Sequence, residues 1–261
     1  MQPQFITGYA PVNGIDMYYE IHGDNSIPLV LIHGGGSTIE TNFAAILPLF
    51  AKTQKVIAVE LQAHGRTSDR NEPESFKQDA ADVAALLKHL KIEKANILGF
   101  SHGGCTALQL AIDHPGLIHK MIIISSNYSR AGMVPGFYEG MENVTLADMP
   151  QPLKDGFLKV NNDPAKLLNM FNKDKAKSIA FEDFKEEDIK SIKSPALIMA
   201  GDKDVILTEE IVKLSQLIPN ARLIILPGFH GTLLGEVCSI KPGSKQPEIT
   251  ATLIDEFLNA E

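Results

Sequence analysis

Ser101 lies between Gly99 and Gly103 in the segment Gly-Phe-Ser-His-Gly, and its surroundings could make it a nucleophile. The apolar run Ala95–Leu98 precedes it, and residues 106–114 are rich in helix-forming side chains. This order predicts a strand, a tight turn and a helix. Such a turn holds the serine in a strained backbone conformation, and small neighbours let strand and helix approach closely. The helix N-terminus would provide a positive pole for a developing oxyanion. Taken alone, the motif fits an ordinary glycine–serine turn equally well.

A serine hydroxyl needs a base within hydrogen-bond distance, and the base needs a third group that fixes its tautomer. Downstream of Ser101, the loop that contains Asp202 and Asp204 follows one apolar run, and the loop that contains His230 follows the next. Open α/β sheets bring the carboxyl ends of their strands to one edge, so these side chains are expected to meet there. The order serine, aspartate, histidine is that of a nucleophile elbow.

The elements that must position these residues alternate apolar runs with amphipathic helices, which is typical of a mostly parallel sheet covered by helices. Asn13-Gly14 predicts a hairpin turn before the strand Ile15–Ile21. Other predicted strands span 28–32, 56–59, 95–98, 121–124, 196–200 and 222–226, and predicted helices include 42–51, 76–87, 165–171, 209–217 and 248–258. Residues 127–191 contain no apolar strand. We therefore expect one core domain, 1–126 plus 192–261, interrupted by a helical insertion at 127–191.

The composition narrows the functional class. The 261 residues include 44% apolar and 21% charged residues, and the net charge is −8, which indicates neither a disordered chain nor a membrane span. Acidic residues offset the lysines, and this disfavours a nucleic-acid partner. Two cysteines fit a reducing compartment, and Met1–Ala10 lacks the pattern of a signal peptide, so we expect a cytoplasmic protein. We expect no metal and no cofactor, because neither metal-ligand spacing nor a phosphate-binding glycine loop occurs. A homodimer is compatible with the sequence.

Five motifs occur in order over almost the whole chain: His33-Gly34-Gly35, residues 63–68, the serine turn 99–103, the turn Gly201–Asp204 and the loop 227–230. They resemble motifs of the α/β-hydrolase family, in which the first would be the oxyanion loop, the fourth the acid turn and the fifth the histidine loop. The resemblance implies a mostly parallel sheet with helices on both faces and a helical cap formed by the insertion. A variant of the family places the acid after strand 121–124, but residues 125–127 of this chain carry no carboxylate.

The resemblance also implies a role for each site residue. Ser101 would be the nucleophile, His230 the general base and then acid, and Asp204, in preference to Asp202, the orienting carboxylate. The backbone N–H groups of Gly35 and His102 would form the oxyanion hole. Apart from the resemblance, we expect His33 and His64 to brace their loops through side-chain hydrogen bonds, and Glu60 and Cys105 to be structural.

The cap is expected to decide specificity. Four of its apolar residues are the candidates for contact with substrate: Phe137, Tyr138, Met141 and Phe171. The same side chains, together with Met133, Phe157, Leu168 and Met170, could instead form the cap's own core. An apolar pocket with few charges suits an uncharged acyl or alkyl group, which favours a small or medium carboxylic ester or thioester as the small-molecule substrate.

Two alternatives stay open. The same catalytic triad could hydrolyse a C–C bond or catalyse cofactor-free perhydrolysis, although the absence of tryptophan disfavours the latter by resemblance. A non-catalytic ligand-binding or sensing protein would normally lack a triad residue. The chain departs from the family pattern at Glu60 and Gln62, and at Gly235–Pro247, an added loop that could line the entrance.

Overall fold

An eight-stranded sheet forms the centre of the computed structural model, which describes residues 5–260. Residues 1–4 and residue 261 lie outside the described residues. The first four belong to the predicted core segment 1–126 and to the N-terminal stretch Met1–Ala10 interpreted above. The strands are β1 (Ile6–Val12), β2 (Ile15–His22), β3 (Leu29–Ile32), β4 (Val56–Val59), β5 (Ala95–Phe100), β6 (Ile118–Ile124), β7 (Ala196–Gly201) and β8 (Ala221–Leu226).

The strand order is β1-β2-β4-β3-β5-β6-β7-β8, so the chain starts near one edge, crosses to the centre and ends at the other edge. The β1–β2 and β2–β4 pairs are antiparallel, and the remaining pairs are parallel. Asn13 and Gly14 both have positive φ, at 45° and 87°, which is the backbone of the predicted two-residue hairpin turn.

Ten α-helices are present in residues 5–260. They are α1 (Ile39–Phe43), α2 (Leu47–Phe50), α3 (Phe76–His89), α4 (His102–Asp113), α5 (Phe137–Asn143), α6 (Gln151–Val160), α7 (Pro164–Ile179), α8 (Glu186–Ser191), α9 (Thr208–Leu217) and α10 (Gln246–Asn259). The prediction of one helix over 42–51 is wrong, because α1 and α2 are separate. Pro48 lies in the first turn of α2 and has no N–H to donate to a preceding helical turn, so α1 cannot continue through it.

The core has two layers because successive side chains of a strand point to opposite faces. In β3, Val30 and Ile32 join one apolar cluster, and Leu29 and Leu31 join the other. Apolar side chains of α3, α4 and α9 complete the first cluster, and those of α1, α2 and α10 complete the second. This mostly parallel sheet with helices on both faces confirms the predicted fold class.

The inserted segment places α5, α6 and α7 above the carboxyl ends of the strands. Helix α7 begins as predicted: the Asp163 side chain accepts hydrogen bonds from the N–H groups of Ala165 and Lys166, and proline occupies the first helical position. A small third cluster joins Phe157, Met170 and neighbouring cap residues to Ala63 of a core loop. Within residues 5–260, no helix has both the length and the apolar composition needed to cross a membrane.

Candidate active site

Ser101 occupies the sharp turn between β5 and α4, with φ 53° and ψ −122°. This is a left-handed backbone conformation that an L-residue adopts only under constraint. A Cβ on Gly99 would overlap the backbone of Gly103, and one on Gly103 would overlap the Ile32 carbonyl. Glycine is therefore required on both sides of the serine. The turn presents Ser101 Oγ at the carboxyl edge of the sheet, with the N-terminus of α4 behind it.

His230 and Asp204 reach this serine from two neighbouring strand ends. His230 Nε2 lies 3.1 Å from Ser101 Oγ, and His230 Nδ1 lies 2.7 Å from Asp204 Oδ1. Asp204 follows β7 and His230 follows β8, so the parallel pairing of these strands sets the two loops side by side. Asp202 points elsewhere and accepts the Gly228 N–H at 2.8 Å. Of the two candidate acids, Asp204 is the one that contacts the histidine.

The environment of Asp204 keeps its carboxylate charged. Its side chain is fully buried, and burial by itself would raise the pKa. The hydrogen bond and charge of His230, with the Ile206 N–H, outweigh burial and lower the pKa of Asp204 below its ordinary value. An ionised carboxylate at this place can hold His230 with Nδ1 protonated, which leaves Nε2 able to accept the serine proton.

The two proposed oxyanion donors lie on either side of Ser101. Helix α4 begins at His102, so the His102 N–H has no acceptor within its own helix. Gly35 lies between two glycines whose N–H groups are already bonded: Gly34 donates to Asn42 Oδ1, and Gly36 donates to Asp174 Oδ2. A Cβ on Gly35 would lie 2.8 Å from His102 Nδ1, so the oxyanion loop and the start of α4 are in contact.

The predicted bracing by His33 and His64 is confirmed by their hydrogen bonds. His33 Nδ1 donates to the Gly34 carbonyl at 2.7 Å, and its Nε2 accepts the Leu61 N–H at 3.0 Å. Burial lowers the pKa of His33 to about 3, so it stays neutral in this role. His64 Nδ1 bonds the Gln62 carbonyl at 2.8 Å, and its Nε2 lies 3.5 Å from Asp174 Oδ2. Both rings are buried away from substrate.

Two cavities open on either side of Ser101 beneath the cap. The larger, of about 270 Å³, extends from the oxyanion loop under α5, α6 and α7, and the smaller, of about 170 Å³, extends towards His230. Ser101, His102, Phe137 and Ser178 line both cavities. The walls are mainly apolar.

The predicted substrate-binding residues divide between these cavities. Phe137 lines both, Met141 and Phe171 line the larger one, and Tyr138 lines the smaller one. Of the other cap candidates, Phe157 packs inside the cap core and Leu168 is 45% exposed. Sequence reasoning missed several lining residues: Phe76, Val144, Met149, Leu153, Asp174, Ser178 and Phe181. An amphipathic pattern could have pointed to Phe76 on α3 and Leu153 on α6, whereas Val144, Met149 and Phe181 lie outside the α-helices. No signal marked Asp174 or Ser178.

The comparisons with known proteins agree with this architecture. A family model described as the alpha/beta hydrolase fold matches residues 27–153, just under half of the chain. The meta-cleavage product hydrolase CumD from Pseudomonas fluorescens superposes with a TM-score of 0.75 over 97% of each chain, at 22% identity. The chain has the α/β-hydrolase fold.

Two curated relatives show how far the similarity to named hydrolases extends. The human serine hydrolase BPHL is 36% identical over 51% of this chain and 47% of its own length. The bifunctional esterase/perhydrolase DCH of Acinetobacter calcoaceticus is 26% identical over 86% of this chain and 93% of its own length. The chain thus spans about half the length of the first relative and nearly all of the second.

Three further features of this chain were singled out from the sequence. Glu60 is fully buried and bonds Arg66, in agreement with a structural role. Cys105 is buried as predicted, with its Sγ 3.3 Å from Ser126 Oγ, and it also lines the smaller cavity. The expectation that the loop Gly235–Pro247 could line the entrance is wrong for the two cavities described here, since none of its residues lines them. Instead, Ser239 Oγ donates a hydrogen bond to the His230 carbonyl, so this loop braces the histidine.

Proposed function

We propose that this chain is a serine hydrolase that cleaves small or medium, largely apolar carboxylic esters or thioesters through an acyl-enzyme on Ser101. The observation that carries the proposal is the continuous chain of contacts from Ser101 Oγ through His230 to the buried Asp204 carboxylate, at 3.1 Å and 2.7 Å. A serine in a strained turn with a base and an oriented carboxylate is the arrangement that activates a hydroxyl for acyl transfer.

In the proposed mechanism, His230 Nε2 takes the proton of Ser101 as Oγ attacks the ester carbonyl carbon. The carbonyl oxygen becomes an oxyanion, which the N–H groups of Gly35 and His102 stabilise. The tetrahedral intermediate collapses, the C–O bond to the alcohol breaks, and protonated His230 gives its proton to the leaving oxygen. Water then attacks the acyl-enzyme with His230 again as base, and Ser101 is released with a carboxylic acid. Asp204 stabilises the positive charge on His230 in both steps.

The two cavities support a preference for an ester with two apolar parts. His230 must protonate the leaving alcohol, and the smaller cavity is the one that His230 lines, so we assign the alcohol to it. The acyl group then occupies the larger cavity, where Met141 and Phe171 are available for apolar contact. Its volume of about 270 Å³ is close to the lower end for ligand pockets, which suits short and medium chains.

A perhydrolase activity is the second candidate, because the relative DCH bears that name and matches along nearly its full length. In that reaction hydrogen peroxide replaces water in the attack on the acyl-enzyme, and a peroxy acid leaves in place of the carboxylic acid. The triad and the oxyanion donors would act as in ester hydrolysis. Product analysis with an ester, in the presence and absence of hydrogen peroxide, separates the two activities.

We retain the division into a core, 1–126 plus 192–261, and a cap, 127–191, as part of this proposal. Helices α5, α6 and α7 support it, since all three line the larger cavity and α5 and α7 also line the smaller one. At the C-terminal boundary, α8 packs its Ile189 into the main core cluster. The substrate-binding part of the cap is therefore α5 to α7.

A p-nitrophenyl ester series from acetate to decanoate tests the proposed reaction, with a 1,3-diketone added as a C–C substrate. We expect hydrolysis that is fastest at short or medium chain length and is abolished in Ser101→Ala. Absence of activity at every chain length, or full activity in Ser101→Ala, would contradict the proposal. Cleavage of the diketone alone would favour the C–C alternative.

A further inference from the structure

Asp174 is a buried carboxylate of the cap that contacts both halves of the proposed oxyanion hole. It lies on α7, and its side chain is 10% exposed at the wall of the larger cavity. Its Oδ2 accepts the Gly36 N–H, next to Gly35 on the oxyanion loop. Its Oδ1 lies 3.1 Å from His102 Nδ1, on the residue that provides the second oxyanion N–H.

The two proposed donors belong to different segments, which the pairing of β3 with β5 brings side by side. Gly35 follows β3, and His102 starts α4 after β5. A Cβ on Gly35 would lie 2.7 Å from Asp174 Oδ2 and 2.8 Å from His102 Nδ1, so carboxylate, glycine and imidazole form a single contact. The carboxylate thus contacts the loop of one donor and the side chain of the other.

The carboxylate is held in place by two basic side chains on its far side. Lys177, one turn later on α7 and 2% exposed, lies 3.5 Å from Asp174 Oδ1, and His64 of the core lies 3.5 Å from Oδ2. Burial opposes the charge on Asp174, but its interactions with His102, Lys177 and His64 outweigh burial and hold the pKa of Asp174 well below the ordinary value. Asp174 is therefore an anion with a fixed position.

We propose that Asp174 is a positioning residue through which the docked cap sets the spacing of the two oxyanion donors, Gly35 and His102. The proposal rests on the serine-hydrolase function proposed above. It implies that the cap does more than cover the substrate: the core alone holds the triad, and the cap completes the stabilisation of the transition state. Because the oxyanion is present only in the transition state, loss of Asp174 reduces kcat with little change in KM.

Asp174→Asn is the variant that tests this role. An asparagine of the same size can accept a hydrogen bond from only one of the two donors, and its NH₂ group then faces the other. We expect kcat for p-nitrophenyl butyrate to fall by about 10²-fold, the loss typical of one misplaced oxyanion donor. The rate constant for labelling of Ser101 by a fluorophosphonate, and the affinity for phenylboronic acid, are expected to fall in parallel, since both form a tetrahedral adduct.

Lys173→Ala is the matched control. Lys173 also joins α7 to the core, through Asp69 Oδ1 at 2.7 Å, but it does not contact the oxyanion loop. It should weaken cap docking while leaving kcat within about threefold of wild type, as expected for a partly exposed ion pair. If Asp174→Asn does not fold, His102→Ala removes the same contact from the side of α4, and we expect it to slow the fluorophosphonate labelling similarly.

The outcomes separate this proposal from the proposed function. A wild-type protein that neither hydrolyses esters nor labels at Ser101 contradicts the function itself. The role of Asp174 alone is contradicted if wild type is labelled at Ser101 and the folded Asp174→Asn variant is labelled equally fast and keeps its kcat. A rise in KM with kcat unchanged also contradicts it, because Asp174 would then act only on substrate binding.

Discussion

Replacing Asp204 by asparagine should abolish most of the activity without unfolding the protein. Asp204 Oδ1 accepts from His230 Nδ1 at 2.7 Å and from the Ile206 N–H at 3.2 Å, and an asparagine oxygen can keep the same position. What the variant loses is the negative charge opposite His230, which is needed when the ring becomes protonated in the transition state. Because the carboxylate is fully buried, water cannot replace that charge. The loss expected for such a substitution is about 10⁴-fold in kcat, or roughly 5.5 kcal/mol.

Asp202→Asn provides the control for this prediction. Asp202 lies two residues away on the same loop and accepts the Gly228 N–H, so the variant alters the loop charge without touching His230. Both variants would be assayed with the best p-nitrophenyl ester, with circular dichroism to establish folding. We expect Asp202→Asn to keep kcat within about tenfold of wild type, since it removes charge from a single backbone hydrogen bond. Equal losses in the two variants, or a loss below tenfold in Asp204→Asn, would refute the assignment of the acid.

Three further predictions concern stability. Lys177→Met should lower the free energy of unfolding, measured in urea, by about 3–5 kcal/mol, because three carboxylates lie within 3.5 Å of this buried ammonium. The control Lys213→Met, at an exposed ion pair, should cost less than about 1 kcal/mol. Equal losses in the two variants would contradict the burial argument. Gly103→Ala should lower the free energy of unfolding by about 1–3 kcal/mol, because the added Cβ overlaps the end of β3. The control Gly140→Ala has open space around it and should be neutral or stabilising by up to about 1 kcal/mol. A tolerated Gly103→Ala would refute the close approach of α4 to β3. Burial opposes the charge on His64, but a neighbouring carboxylate on α7 outweighs it and raises its pKa to about 9. This stabilisation is complete below pH 6.5 and is lost as pH rises through 9. The free energy of unfolding of wild type, measured in urea, should therefore exceed that of His64→Gln by up to roughly 3 kcal/mol at low pH, and the difference should shrink over that interval. A difference that does not change with pH would contradict this prediction.

The sheet and the serine turn could be predicted because their signals are local. Alternation of apolar runs with helical patterns follows from burying the two faces of one sheet, and β4 spans 56–59 as expected. The elbow needs glycine on both sides of Ser101 for steric reasons, and that requirement is visible in five consecutive letters. The single helix predicted over 42–51 was wrong because the apolar pattern continues through Pro48, whereas proline has no N–H to donate to the preceding helical turn.

Asp174 could not be predicted, because its importance comes from docking and not from its neighbours in the chain. It lies 72 residues from His102 and 138 residues from Gly36, on a helix whose lysines and asparagines are typical of a solvent-exposed surface. The order of the motifs identifies which strand ends meet, since parallel strands share one edge. How a cap helix sits above that edge depends on packing and ion pairs that no local pattern encodes.

The central claim, that Ser101 is the nucleophile, is tested most directly by the intact mass of the protein after reaction with a fluorophosphonate. We expect wild type to gain a single adduct, located by peptide mapping on the fragment that contains Ser101, and folded Ser101→Ala to gain none. An adduct on another residue, or labelling of Ser101→Ala at the wild-type rate, would contradict the account.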